Sequence, residues 1–368
     1  MKAFLVPALF AFTALSFSCI NDSDTLRFEH RNMDTLERVR SSDTEISMSA
    51  TKELVLKAIS GRFERYPDSY YKARIQRIEN SARLTPEMYD DLSVAYERIG
   101  DTDKAIAVIK KSLPLRVSDD DKYRYHANLG TFLVHKWFKE GANRQKPELL
   151  KESIAHIEKA LEINPNSHFG REKYQLALEK HWLTGEELSF RSLEKEYSEE
   201  DWIVALSGII MMGLGYELPD VYAVLIRLIK HYPSLLPPLV KARYDEVLGK
   251  DGKLVIAGDA KLFDEKMFRF RNENIPETYK KLREHGENVY NKRAAYIETR
   301  LAKGEHPDTH PQFWDAYKEP EVPILVTKPS GGIDSIKNSI KAIGGAILVV
   351  FLAYGVFRTF RKIAGYGL

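Results

Sequence analysis

His306-Pro307-Asp308-Thr309-His310 is the densest group of metal-ligating side chains in this sequence. Two imidazoles with a carboxylate between them can meet on a turn. Pro307, however, bars a regular helix interior and no third ligand is evident, so the segment reads as a solvated loop and no metal is expected. His126, His135, His168 and His181 fall along stretches of helical periodicity, where a histidine on a helix face is an ordinary occupant. Carboxylates gather at Asp90-Asp91 and at Asp119-Asp120-Asp121, and these read as helix-start and turn residues. The single thiol, Cys19, is too far from any folded base to serve as a nucleophile. The patterns HExxH, GxSxG, GxxxxGKS/T and GxGxxG and the EF-hand loop are all missing, so neither catalysis nor a cofactor is expected.

The chain that must position any site has 368 residues, 43% apolar and 29% charged, a composition able to bury a core. Lys and Arg number 55 against 53 Asp and Glu, a net of +2, which lacks the basic field a nucleic-acid partner demands. One cysteine excludes an intramolecular disulfide framework, a thiolate zinc cage and a CxxC redox pair.

Both ends are apolar. Met1-Lys2, the run from Ala3 to Phe17 and Ser18 lay out a secretory signal peptide over 1–18. Leu15-Ser16-Phe17-Ser18-Cys19 resembles a bacterial lipoprotein signal, although Leu15 stands four places before the cysteine rather than three and Phe17 is bulky. That resemblance implies a lipid on Cys19. Near the other end, Ala342 to Phe357 runs sixteen residues without a charge, about 24 Å of helix against roughly 30 Å of hydrocarbon. Snorkelling of Lys341 and Arg358 makes up the difference, so 340–362 is expected to be a transmembrane anchor with 363–368 as its tail. Arg358, Arg361 and Lys362 after the run put that tail on the cytoplasmic side and the folded body outside, an exported, membrane-anchored arrangement. Residues 19–50 are polar and without a sustained apolar period, and read as a flexible tether. Residues 320–339, with three prolines and Gly331-Gly332, read as a linker.

Between these segments, alternation of period two is confined to Lys253–Ala257, so the body is mostly helical. Tyr89, Leu92, Tyr96, Gly100, Asp101, Ala105, Ile106, Ile109 and Leu113 resemble the tetratricopeptide repeat in order and spacing. A second copy runs from Tyr123 through Leu129-Gly130 and Leu133 to Ile154, Ile157 and Ala160–Asn166, with about eleven additional residues over His135–Pro147 that lengthen the turn into a protruding element. A third opens at His168 with Tyr174, Ala177 and Leu178 and fades after Trp182, while Leu54–Arg83 looks like a degenerate capping pair. The phrases YYKARI, ANLGTF and HFGREKYQ are similar to those of bacterial envelope proteins bearing such repeats.

The resemblance implies an all-α fold: a helical-hairpin solenoid over 51–186, a helical capping region over 187–319 and the C-terminal transmembrane helix. Within 187–319, Trp202–Leu214 has the length and interruptions of a buried core helix, Val221–His231 is amphipathic, and a charged helix over about Ile275–Lys303 is expected to lie along the solenoid as a buttress.

In tetratricopeptide proteins the first helix of each pair lines a concave groove. Carried over by position, this points to Asp90, Asp91, Val94 and Glu97, then Arg124, Asn128, Thr131 and His135, then Glu172, Lys173 and Leu176. Acids, amides and bases in that mixture suit the polar backbone of an extended peptide, and Trp137 and Phe138 read equally as anchors for a partner or as cover for the neighbouring helices. The expected function is a membrane-tethered scaffold that binds a protein or peptide partner in a bacterial envelope without turnover. The alternatives are an envelope enzyme or regulatory subunit with its site in 187–316, and a spacer joining two membranes through Cys19 and the C-terminal helix.

Overall fold

The computed structural model describes residues 20–166, 170–185, 198–212, 214–230, 232, 235–251 and 274–320. Among them there is no strand, and the fold is all-α. The helices are α1 (Ser23–Val39), α2 (Thr44–Ser60), α3 (Asp68–Glu79), α4 (Pro86–Arg98), α5 (Thr102–Lys111), α6 (Asp119–Lys139), α7 (Glu148–Ile163), α8 (Arg171–Thr184), α9 (Glu199–Met212), α10 (Pro219–Ile229), α11 (Leu236–Asp251) and α12 (Ile275–Leu301). The expected signal peptide, Cys19, the Lys253–Ala257 segment and the C-terminal anchor lie outside the described residues. No described helix is long and apolar enough to cross a membrane.

Local chemistry explains where the central helices begin. Thr85 accepts the Met88 N–H ahead of Pro86, and Asp101 accepts the Lys104 N–H. Ser118 and Asp121 form a reciprocal capping box at the head of α6, so Asp119–Asp121 are first-turn residues, as their sequence suggests. Between α4 and α5 the chain turns at Gly100 with φ +92, a left-handed conformation that glycine adopts without strain. From α3 to α8 each helix packs on the next, and α4 also packs on α6. Leu92, Val94, Ala95, Ala105, Ile109, Leu129 and Phe132 belong to one buried apolar cluster beneath these contacts.

Three expectations are corrected. Residues 19–50 do not form a tether where they are described, because α1 and α2 occupy 23–60 and α1 packs on α2 and α9. The additional residues from His135 do not build a protruding element: α6 continues to Lys139, and the turn follows at Gly141 and Ala142. Trp137 and Phe138 are consequently buried, Phe138 edge-on against Trp182, and neither is free to anchor a partner. The segment from His306 to His310 is not a solvated loop. His306 is buried and stacks on Tyr70 with ring centroids 4.7 Å apart, and half-buried Asp308 lies beside Arg74.

Beyond α8, the apolar helix α9 is buried along Trp202–Leu206 and at Ile209–Met211, and α10 is buried on nearly every face. The long charged helix α12 lies against α2, α3 and α11. It crosses the end of α2 at Gly286, where an added Cβ would overlap the Ser60 carbonyl oxygen. Gly249, exposed in α11, has nothing within 4 Å of the corresponding position.

The two glycines should therefore respond with opposite signs. Gly249→Ala is expected to stabilise by about 0.5–1 kcal/mol through helix propensity. Gly286→Ala, in spite of the same propensity gain, is expected to cost about 1–3 kcal/mol through overpacking. Thermal or urea unfolding of the two variants checks the pair, and equal shifts would show that α12 does not pack on the end of α2.

Candidate binding seam

The residues expected to line a groove fall on α4, α6 and α8, and most of them are buried. Asp90, Asp91, Val94 and Glu97 on α4, Asn128, Thr131 and His135 on α6 and Glu172 on α8 are all inside the fold. Arg124, Lys173 and Leu176 are half-buried. Four of the eleven, Asp90, Asp91, Arg124 and Asn128, converge on one polar seam, and the chain's own segment Ile20–Asp24 lies in it.

Asn128 is the centre of that seam. Its Oδ1 accepts the Asn21 backbone N–H at 2.6 Å, and its Nδ2 donates to the Asn21 carbonyl at 3.0 Å. The same Nδ2 lies 3.2 Å from Asp90 Oδ1, which fixes the orientation of the amide. Asp90 is held in turn by Arg116, at 2.6 and 3.1 Å, and by Arg124 at 3.0 Å. Burial pushes the Asp90 carboxyl up to about 6, against the pull of these two guanidiniums. One turn of contact further, Asp91 accepts both the backbone N–H and the hydroxyl of Ser23, at 2.8 and 2.9 Å. Burial also raises Asp91, with the neighbouring Asp22 carboxyl adding to the effect and Arg74 opposing it.

Arg74 on α3 completes the seam and is wholly buried. Its guanidinium lies 2.8 Å from Asp24, 3.5 Å from Asp22 and 2.7 Å from Asp308, while Tyr70 Oη donates to Asp24 at 2.7 Å. Arg77 adds a second cation to Asp308 at 2.6 Å. Burial alone would raise Asp24 and Asp308, but Arg74 holds both carboxyls below their usual range. Ile20, just before the polar contacts begin, has 0% of its surface exposed and joins the apolar cluster under α4 and α6.

The other expected groove residues stand apart from the seam. Val94 is core. Glu97 faces His135 Nδ1 at 2.9 Å, with Lys139 Nζ 3.6 Å away, and against its burial these partners keep its carboxyl low. Glu172 accepts the Tyr123 hydroxyl at 2.6 Å, and Lys173 reaches Asn166 at 3.3 Å. Thr131 meets Gln175 at 3.4 Å, and Gln175 donates to Glu179 at 2.7 Å. No group of three His, Cys, Asp or Glu side chains able to hold a metal occurs among the described residues. Half-buried His126 and His156 face each other through Nδ1 atoms 2.8 Å apart, a spacing that suits one shared proton. Burial, with His156 beside it, pulls His126 down to about 4.

Sequence reasoning missed Asp22, Ser23, Asp24, Arg74 and Arg116, and took Asp308 for part of a solvated loop. One local sign was present: Asp22 ahead of a polar helix is a good N-cap, and its side chain accepts the Thr25 N–H at 2.8 Å. No local pattern could pair Arg74 with Asp308, which lies 234 residues further along. No protein-family model matches the chain, and neither a curated protein nor a solved structure matches it.

Glu179, at the α6–α8 contact, yields a pH prediction. Ser153 Oγ lies 2.7 Å from the Gly130 carbonyl and 2.8 Å from Glu179 Oε2, yet a hydroxyl has a single proton to give. A protonated Glu179 resolves this by donating to Ser153, which then donates to Gly130. Burial pushes Glu179 up to about 8 in the same direction. The folded state thus keeps a proton that the unfolded chain releases above its ordinary carboxylate range. Stability is then lost as pH rises from about 4.5 towards 8, at up to about 1.4 kcal/mol per pH unit. Glu179→Gln retains a donor for Ser153 and removes the titration. The variant should match or exceed the parent in urea stability at pH 7.5 and show a flatter dependence between pH 5 and 8, whereas a loss above about 1 kcal/mol at pH 7.5 would mean that Glu179 is ionised.

Proposed function

We propose that the protein is a non-catalytic scaffold of stacked helix pairs, of the tetratricopeptide type, that binds a protein or peptide partner and is tethered to a membrane of the bacterial envelope. The observation that carries this reading is the two-bond hold of Asn128 on the main chain of residue 21. A buried side-chain amide that grips one residue through both its N–H and its carbonyl mimics the pairing of a β-ladder, and such a hold recognises main chain. The face made by α4 and α6 therefore has the chemistry to hold a peptide. The packing of α4 on α5, α6 on α7, and α4 on α6 is the arrangement that repeat pairs require. Membrane attachment rests on the apolar runs 3–17 and 342–357 and on Cys19.

Position-specific photocrosslinking in cells tests the scaffold reading. A photoreactive residue at Leu176 or Lys173, half-buried on α8, is expected to give a discrete protein adduct in the membrane fraction, while the same residue at exposed Lys159 on α7 gives none. Identical adduct patterns at Leu176 and Lys159, or no protein adduct at Leu176 and Lys173, would remove the support for a partner on the expected groove helices α4, α6 and α8.

A further inference from the structure

We propose that residues 20–24 are a built-in occupant of the seam, seated where an external ligand of the same chemistry binds: an acidic peptide that enters a helix at its fourth position, with an aliphatic residue, a residue held through its main chain, then Asp, Ser or Thr, and Asp. This rests on the peptide-binding reading above and names the ligand class that the seam selects.

Each position of the segment meets a different group, and the groups come from α3, α4 and α6. At residue 20 an aliphatic side chain enters the apolar cluster and is fully buried. At residue 21 main-chain atoms meet Asn128, at 2.6 and 3.0 Å, a hold that proline, which has no N–H to give, cannot make. The backbone at Asp22 is extended, with φ −142 and ψ 178, and the chain enters α1 only at the next residue. At residue 23 one carboxylate, Asp91, takes both an N–H and a hydroxyl, a demand that serine or threonine meets. At residues 22 and 24 the carboxylates flank the Arg74 guanidinium, which cannot lose its charge. This is a reading frame of five residues, with side-chain contacts at 20, 22, 23 and 24 and a two-bond main-chain hold at 21.

Emptying the seam would leave the Asn128 amide and the Asp91 carboxylate buried without the donors and acceptor they now meet. Exchange of one occupant for another avoids that loss. The segment is joined directly to α1, so it competes at an effective concentration on the order of millimolar. An external peptide of micromolar affinity is excluded while the segment keeps its hold, and gains access when that hold is weakened.

The test uses a fluorescein-labelled peptide with the sequence of residues 20–27, INDSDTLR, and fluorescence anisotropy. The full chain is compared with its S23A/D24N double variant, which weakens the segment and leaves Asn128, Asp91 and Arg74 in place; Arg74 keeps Asp22 and Asp308 as partners. The peptide is expected to bind the double variant at least tenfold more tightly than the parent chain. A peptide carrying the S23A and D24N changes, or one with proline at the position of Asn21, should bind at least tenfold more weakly than INDSDTLR. Should the double variant fail to unfold cooperatively, the parent chain cleaved at a protease site placed in Ser41–Asp43, between α1 and α2, serves instead, and labelled peptide 20–40 should exchange into it. A folded variant or cleaved chain that takes up no peptide, or that binds the altered peptides as well as the native one, overturns the proposal. Peptide binding without a cellular adduct at Leu176 would instead count against the scaffold function alone.

Discussion

Arg74 is a guanidinium with no exposed surface, placed on α3 in the middle of the described fold, and it stays charged at every pH the protein meets. Taking such a group out of water costs several kcal/mol unless carboxylates and hydrogen-bond acceptors surround it. The chain supplies them from both directions: Asp22 from the N-cap and Asp24 from the first turn of α1, and Asp308 from the turn after α12. This one requirement draws segments some 50 and 234 residues away from α3 onto its surface. It accounts for the burial of the His306 turn and for the ordered start of α1, neither of which has an apolar stretch long enough to demand it.

Around Arg74 the polar groups are arranged so that few buried charges stand alone. Asp24 and Asp308 share two or more cations, Asp90 has Arg116 and Arg124, and Asp91 has the donors of Ser23. A network of this kind is a weak source of net stability, since apolar residues of similar volume often do as well. Its consequence is geometric. Arg74, Asp91 and Asn128 have directional demands that only a backbone in a particular register satisfies, so the network specifies what lies against it far more sharply than an apolar surface could.

Helices α4 to α6 were legible because their causes are local: Gly100-Asp101 as the turn, Asp119–Asp121 at the head of α6, and apolar residues spaced to share a face. The same holds for α9, whose apolar length marks it as core, and for α12 over Ile275–Leu301. Helix α1 was hidden by its polar composition, and its start docks through Asp22, Asp24 and Arg27, which meet Arg74 on α3 and Asp308. Positional carry-over placed Asp90, Asp91, Arg124 and Asn128 on a common face but could not reveal what covers it. The covering segment is the stretch whose polarity suggested a tether, and polarity has a second explanation in a residue run that must satisfy buried charge.

That second explanation changes what attachment at Cys19 would mean mechanically. A tether of some thirty residues would let the body move over tens of ångströms, since a flexible chain spans about 5–6 Å times the square root of its length. Ile20 is fully buried and Asn21 is held by two hydrogen bonds, so no such slack exists between residue 19 and the helical body. A lipid on Cys19 would hold the seam close to the bilayer surface, and tension on that residue would act first on the bonds at Asn128, Asp91 and Arg74. Attachment there and occupancy of the seam would then draw on the same five residues, and a change in either would bear directly on the other.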